Sequence, residues 1–212
     1  MDPSPVPGPG EREQAYAILD EAPICHIGFV ESGEPLVLPA LHGRVGEVLY
    51  LHGSPARTLL AAAGSGRPLC ISAVLIDGVA VARCACSTAL NYRSALLRGR
   101  GRPVEEPAEK ARALRAITEH VTPGGWERGR TPSPAEIDAT GIVALDIASI
   151  GVRTRSGPSH DDPADRDLPA WAGIIPLRLE AGMPIRDADS PPGLPVPPVI
   201  GSHPAPDAGA PG

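Results

Sequence analysis

From Ile24 to Val152 the chain sets short apolar runs between polar or glycine-bearing breaks, a spacing that predicts strands more than helices. Ile24–Val30, Leu36–Gly43 and Val48–His52 read as the first three, joined through Glu31-Ser-Gly-Glu34 and Arg44-Val-Gly-Glu47, both suited to hairpin turns. Leu69–Ile76 and Val79–Cys84 flank Asp77-Gly78, a dipeptide that tolerates positive φ and predicts a further tight hairpin. Tyr92–Val104 and Gly141–Val152 complete six or seven strands, few helices intervene, and an antiparallel β-barrel with peripheral helices follows.

Three segments carry helical spacing. Glu11–Glu21 brings Tyr16, Ile18 and Leu19 to one face, and Pro107–His120 does the same for Ala111, Leu114, Ile117 and Val121. Between them Ser54 can cap, Pro55 suits a first helical position, and Gly64 can end a short helix. Residues 1–10 hold four prolines and two glycines, and residues 186–212 hold eight prolines, too many for a helix or an inner strand. The expected organisation is a disordered leader (1–10), one core-bearing domain (11–180) and a Pro/Gly-rich disordered tail (181–212).

Composition narrows the function classes. Only six residues are aromatic, so the core must rest on Val, Ile, Leu and Ala, and each aromatic is a candidate for special duty. A formal net charge of −6 argues against a phosphate-backbone binder, so no nucleic-acid partner is expected. No apolar run approaches a membrane span, no export leader precedes the helix, and cytoplasmic placement is the expectation. Cys25, Cys70, Cys84 and Cys86 include no C-x-x-C pair and read as buried, reduced thiols.

Candidate chemistry concentrates in three stretches. In Leu49-Tyr-Leu-His-Gly-Ser-Pro-Ala-Arg-Thr58 a strand runs through His52 and Gly53 into a capped helix start, where Ser54, Thr58 and Arg57 could grip an anion; an ordinary cap with a solvated arginine explains the same residues. On the strand beginning Asn91-Tyr-Arg-Ser94, alternation sets Asn91 and Arg93 opposite Tyr92 and Ser94, while Arg98, Arg100 and Arg102 suit a solvated edge strand. Arg153 and Arg155 share one face of a strand end and could meet an anionic ring or pair internally. His160, Asp161, Asp162 and Asp165 match no calcium loop and read as an exposed acidic turn, so no metal is assigned. His26, His42 and His52 fall on strands. No G-x-S-x-G, Walker or G-x-G-x-x-G motif occurs, which removes the usual hydrolase, nucleotidase and Rossmann readings.

Taken in order, Pro23-Ile-Cys-His-Ile-Gly28, Leu49-Tyr-Leu-His-Gly-Ser54, Asp77-Gly-Val-Ala-Val-Ala-Arg83, Asn91-Tyr-Arg-Ser94 and Arg153-Thr-Arg-Ser-Gly-Pro158 through Trp171-Ala-Gly-Ile-Ile-Pro-Leu177 resemble the pyridoxamine 5′-phosphate oxidase-like superfamily, in the flavin-nucleotide-binding branch related to nitroimidazole-resistance proteins. The resemblance implies a Greek-key split β-barrel that binds FMN between the subunits of a homodimer, works as an oxidoreductase on a small molecule, and holds the flavin phosphate at His52, Gly53, Ser54, Arg57 and Thr58. It further implies that Asn91, Tyr92, Arg93, Ser94, Arg153 and Arg155 supply walls or cross-subunit contacts, with Trp171 closing the ring side. Two alternatives stay open: a haem protein with His26, His42 or His52 as axial ligand, and a non-catalytic flavin carrier or sensor. Cys84-Ala-Cys-Ser-Thr-Ala-Leu90 departs from relatives that carry an aromatic and histidines there, which implies a smaller, less basic pocket. On this reading Arg57→Ala should weaken FMN binding by about 1.5–3 kcal/mol.

Overall fold

A computed structural model describes residues 10–53 and 58–200 of the protein. The helix α1 (Glu11–Glu21) leads into β1 (Cys25–Glu31), β2 (Glu34–Ala40), β3 (His42–Val45) and β4 (Val48–Gly53). After α2 (Thr58–Gly64) come the long strands β5 (Pro68–Val81) and β6 (Ala89–Pro103), then α3 (Pro107–Val121), α4 (Gly125–Arg128) and α5 (Pro134–Ala139). A third long strand, β7 (Gly141–Arg155), and the short β8 (Gly173–Pro176) complete the fold.

All pairings are antiparallel, and the strands run β2-β1-β5-β6-β7-β4-β3, with β8 on β5. The two ends of this path, β2 and β3, are separated in sequence by Leu41 alone. One residue cannot cross a flat seven-strand sheet whose strands lie about 4.8 Å apart, so the sheet must curl until its edges approach each other. The expected mainly β, split-barrel fold is therefore observed, with eight strands among the described residues where six or seven were expected.

Three differences in detail have physical causes. Asp77-Gly78 does not turn the chain back: β5 continues through it, with a register shift between Ile76 and Gly78, because both halves pair with β6. A Cβ at Gly78 would stand 2.8 Å from the Ile175 carbonyl, so this glycine serves close approach by β8. Arg98, Arg100 and Arg102 do lie exposed, but on a central strand; the intervening Gly99 and Gly101 turn inward, where a Cβ would meet the Asp146 and Ala63 carbonyls at 2.1 and 2.2 Å. The predicted run Leu36–Gly43 divides into β2 and β3, which belong to opposite edges. Ser32-Gly33 and Gly46-Glu47 form the two expected tight turns, with φ of 51° and 85° at the first pair and 59° at Gly46.

The barrel core comes from alternate positions, among them Cys25, Ile27 and Phe29 on β1, Leu69, Ile71 and Ala73 on β5, and Ala95 and Leu97 on β6. Ala15, Ile18 and Leu19 of α1 join it. Outside β4 and β7 a second cluster forms where Tyr50, Ile142 and Ala144 pack under Val104, Ala113 and Ile117. Gly43 lets α3 approach: a Cβ there would lie 2.5 Å from the Ile117 amide nitrogen. The single lysine, Lys110, is nearly buried and donates to the Asp138 carbonyl at 2.8 Å, tying α3 to α5.

Candidate cofactor site

The outer face of β1, β2, β5 and β6 is where the candidate groups gather. Inward Ile27 and Ile71 leave His26, Gly28 and Val30 on β1, with Ile24 just before it, and Cys70, Ser72, Val74 and Ile76 on β5, to point outward. Cross-strand register extends this surface in rows, as Val37–Gly28–Cys70–Arg98, Pro39–His26–Ser72–Leu96 and Val74–Ser94–Arg153. Val37 and Val30 are 66% and 59% exposed, and Ile24, Val74 and Ile76 are exposed with them. A contiguous apolar face of this kind is unusual for a surface that meets only water.

Tyr92 and Ser94 lie on this face, opposite Arg155 and Arg153 in register. Ser94 Oγ donates to the Arg153 carbonyl at 3.2 Å, while the Arg153 guanidinium makes no hydrogen bond or ion pair with any described residue. Arg155 bends around the strand end, donating to buried Asn91 Oδ1 at 2.6 Å. Arg93 is already engaged: it donates to both carboxylate oxygens of Asp77 (2.7–3.2 Å) and of Glu21 (2.6 and 2.9 Å), which pushes its pKa further up. It thereby fastens the end of α1 to the β5 irregularity. Trp171, 62% exposed, precedes β8 and covers Gly173, so it stands at the end of the sheet where β5 meets β8.

The strand-to-helix part of the site lies elsewhere. His52 is exposed near the end of β4, and Gly53 pairs with Gly141 at the start of β7. Ser54, Arg57 and the Thr58 side chain lie outside the described residues. Beside this junction an apolar cavity of about 290 Å³ opens between Leu60 and Ala61 of α2 and Ile142 and Val143 of β7. Gly141 and Arg153 are separated by up to roughly 40 Å of strand at about 3.3 Å per residue, so within one chain the two halves of the predicted site stand at opposite ends of β7.

The three candidate histidines are in different states. His42 is buried, with Nε2 donating to the Leu19 carbonyl at 2.9 Å and its ring 4.4 Å from that of His120. Burial pushes its pKa down to about 4, and lowers that of His120, whose Nε2 donates to the Ala22 carbonyl. His26 sits half-buried on the apolar outer face with both ring nitrogens uncommitted among the described residues. Sequence reasoning missed the apolar face, because alternation marks which residues share a side but not whether that side is covered. It also took the four cysteines for buried thiols: Cys25 is, and burial lifts its pKa to about 12, but Cys84 and Cys86 meet on a surface turn, where their C-x-C spacing was the available signal.

No metal-binding group of three or more His, Cys, Asp or Glu residues occurs among the described residues, and no described helix is long and apolar enough to cross a membrane. Among curated proteins no relative matches at a significant level. Among solved structures, the chain is similar to the flavocytochrome Anf3 from Azotobacter vinelandii, with 38% identity over 87% of this chain and 86% of that one and a TM-score of 0.77. It is similar as well to the FAD and haem binding protein from Mycobacterium smegmatis, with 33% identity, 89% and 91% coverage and a TM-score of 0.80. A proposed 5-nitroimidazole antibiotic resistance protein from Bacteroides thetaiotaomicron shares the fold at 23% identity, with 66% and 81% coverage and a TM-score of 0.56. The sequence profile described as pyridoxamine 5′-phosphate oxidase matches residues 11–154, about two thirds of the chain, and the protein belongs to that family.

Proposed function

We propose that this protein is a homodimeric, flavin-dependent oxidoreductase acting on a small molecule, with the flavin held between two copies of the chain. One observation carries the reading: the apolar outer face, with an Arg153 guanidinium that has no partner among the described residues, lies at the far end of β7 from His52 and Gly53. A single flavin reaching both sets of groups requires a second copy to bring the other end of its own β7 alongside. An apolar wall with a guanidinium that has no partner among the described residues fits a flat aromatic group with an anionic tail. Val74, Ile76 and Tyr92 would support the ring, Arg153 would meet negative charge, and Ser54, Arg57 and Thr58 would hold phosphate. Asn91 and Arg155 position this edge through their mutual hydrogen bond, Arg93 holds it to α1, and Trp171 would shield its open side from water. Bound there, the flavin supplies the redox chemistry, exchanging electrons with the substrate. The family resemblance implies FMN; the M. smegmatis neighbour binds FAD, and on that similarity we favour FAD.

A second reading, haem on the same face, is favoured by His26. Its ring nitrogens, uncommitted among the described residues, and its apolar surroundings suit an axial ligand, whereas His42 is committed to Leu19 and packed on His120, and His52 lies exposed near the end of β4, away from this face. The two more similar solved structures, a flavocytochrome and a haem binder, support it.

An absorption spectrum of the purified protein, taken with its solution mass, tests both. Two broad near-ultraviolet and blue bands on a dimer are expected for flavin, with a Soret band added for haem; a colourless monomer that takes up neither group overturns the proposal. Anaerobic reduction by NADH, NADPH or a reduced deazaflavin is expected with at least one donor, and failure with all three favours a carrier or sensor.

A further inference from the structure

Between β5 and β6 the chain makes a tight 3-10 turn, Ala85–Ser87, that brings Cys84 and Cys86 together with Sγ atoms 2.6 Å apart. Cys86 is exposed and Cys84 half-buried, so a small reagent can reach both. The turn is held on either side: the Ala82 amide donates to Thr88 Oγ1 at 3.3 Å, the Ser87 amide to the Cys84 carbonyl at 3.0 Å, and Arg83 binds Asp161 through its amide and its guanidinium at 2.8 and 2.9 Å. Nothing in the flavin reading uses these thiols, and the inference does not depend on it.

We propose that Cys84 and Cys86 form a redox-active dithiol, oxidised to an intramolecular disulfide by exchange with a low-molecular-weight disulfide of the glutathione class. The Cys84 thiolate attacks one sulfur of the small disulfide, forming a mixed disulfide and expelling one thiolate. Cys86, losing its proton, then attacks Cys84 Sγ; the Cys84–Cys86 bond forms and the second small thiolate leaves. Two protein thiols are oxidised by two electrons, one small disulfide becomes two thiols, and the protons lost by the protein are taken up by those thiolates. Fixing the two sulfurs in contact makes the second step intramolecular, and so faster than escape to a stable adduct. The hydrogen bond from Cys86, with those from its backbone and Ser87, lowers the pKa of Cys84 and raises the thiolate share at neutral pH.

Reduced full-length protein, freed of reductant and incubated with oxidised glutathione, tests this by intact mass and peptide mapping. The wild-type chain is expected to lose two hydrogens, with the new bond in the peptide holding Cys84 and Cys86, and to release two molecules of reduced glutathione. Cys86→Ser, a change at an exposed position, is expected to stop at glutathione held on Cys84. A wild-type chain that keeps glutathione or leaves both thiols reduced overturns the proposal, as does loss of two hydrogens in Cys86→Ser.

Discussion

Where β4 and the first half of β7 meet, the outside of the sheet lies under α3, and Tyr50, Ile142 and Ala144 are buried there as thoroughly as residues of the barrel interior. Where β2, β1, β5 and β6 meet, the outside carries Val30, Val37, Val74 and Ile76 to the surface, with no described segment of the chain above them. Both flanks are apolar outside, and among the described residues only one receives a cover from its own sequence. At about 25 cal/mol per Å² of apolar area removed from water, a bare face of this composition loses stabilisation that α3 secures on the other side. The described chain thus covers the β4–β7 flank and leaves exposed the one that carries Tyr92, Ser94, Arg153 and His26.

The covered flank should fail hardest when its contact with α3 is blocked. Gly43→Val puts a side chain against the backbone of Ala116 and Ile117, which cannot swing away as a flexible side chain would. We expect a loss of about 3 kcal/mol or more in urea unfolding, at the upper end of overpacking costs. A variant as stable as wild type would show that α3 does not depend on that close approach.

A slightly smaller effect is expected from pH at His42, where α1 and α3 come together. In the unfolded chain its pKa is about 6.5, and in the fold burial holds it at about 4. The unfolded state therefore binds more protons between those values, so the stabilisation is complete above pH 6.5 and is lost as pH falls towards 4, by at most about 3 kcal/mol. His120, lowered in the same way, adds to the slope, while Asp20 opposes it. The check is urea unfolding from pH 7.5 to 4.5, where His42→Leu should flatten the dependence whatever it does to absolute stability.

Much of this architecture was legible in residue order. Turn residues at Ser32-Gly33 and Gly46, the alternation of β1 and β5, and the spacing of α1 and α3 all mark local structure through local physics. Asp77-Gly78 misled because a dipeptide that permits a turn does not require one, and a 15-residue partner strand and β8 held the chain straight instead. The predicted α3 face also differs: Lys110 and Ala113 are buried with Ile117, while Ala111 and Val121 are only partly covered, because docking against Gly43 and the carbonyl of Asp138 rotates the contact. The site was legible as residue types and blocks. Its division between the two ends of β7 was not, since that follows from pairing partners distant in sequence.

On the bare flank, Val37→Asp combined with Val74→Asp should break association and spare the fold. Both side chains are exposed in the single chain, so charges there cost little in the monomer, yet they would be desolvated against a second copy. For the dimer proposed above we expect about 2–3 kcal/mol of lost association, read as a lower sedimenting mass than wild type at equal concentration, with an unchanged circular dichroism spectrum. A paired variant with the same solution mass as wild type would remove this flank from the proposed dimer contact.

Arg153→Ala should give the smallest effect, and it separates a cofactor face from a face that only docks protein. Its guanidinium has no partner among the described residues, so removing it breaks no internal bond and leaves the β6–β7 register, held by backbone pairing, in place. If the bare flank exists only to meet a second copy, the loss of one rim charge should change assembly little and flavin binding not at all. If an anionic flavin lies against it, a charge-assisted hydrogen bond is lost, and affinity should fall by about 1.5–2 kcal/mol, some ten- to thirtyfold, with the dimer intact. Fluorescence titration of the apoprotein with FAD and with FMN, at a protein concentration that holds both variants dimeric, reads this directly. Equal affinities for wild type and Arg153→Ala would remove Arg153 from the site.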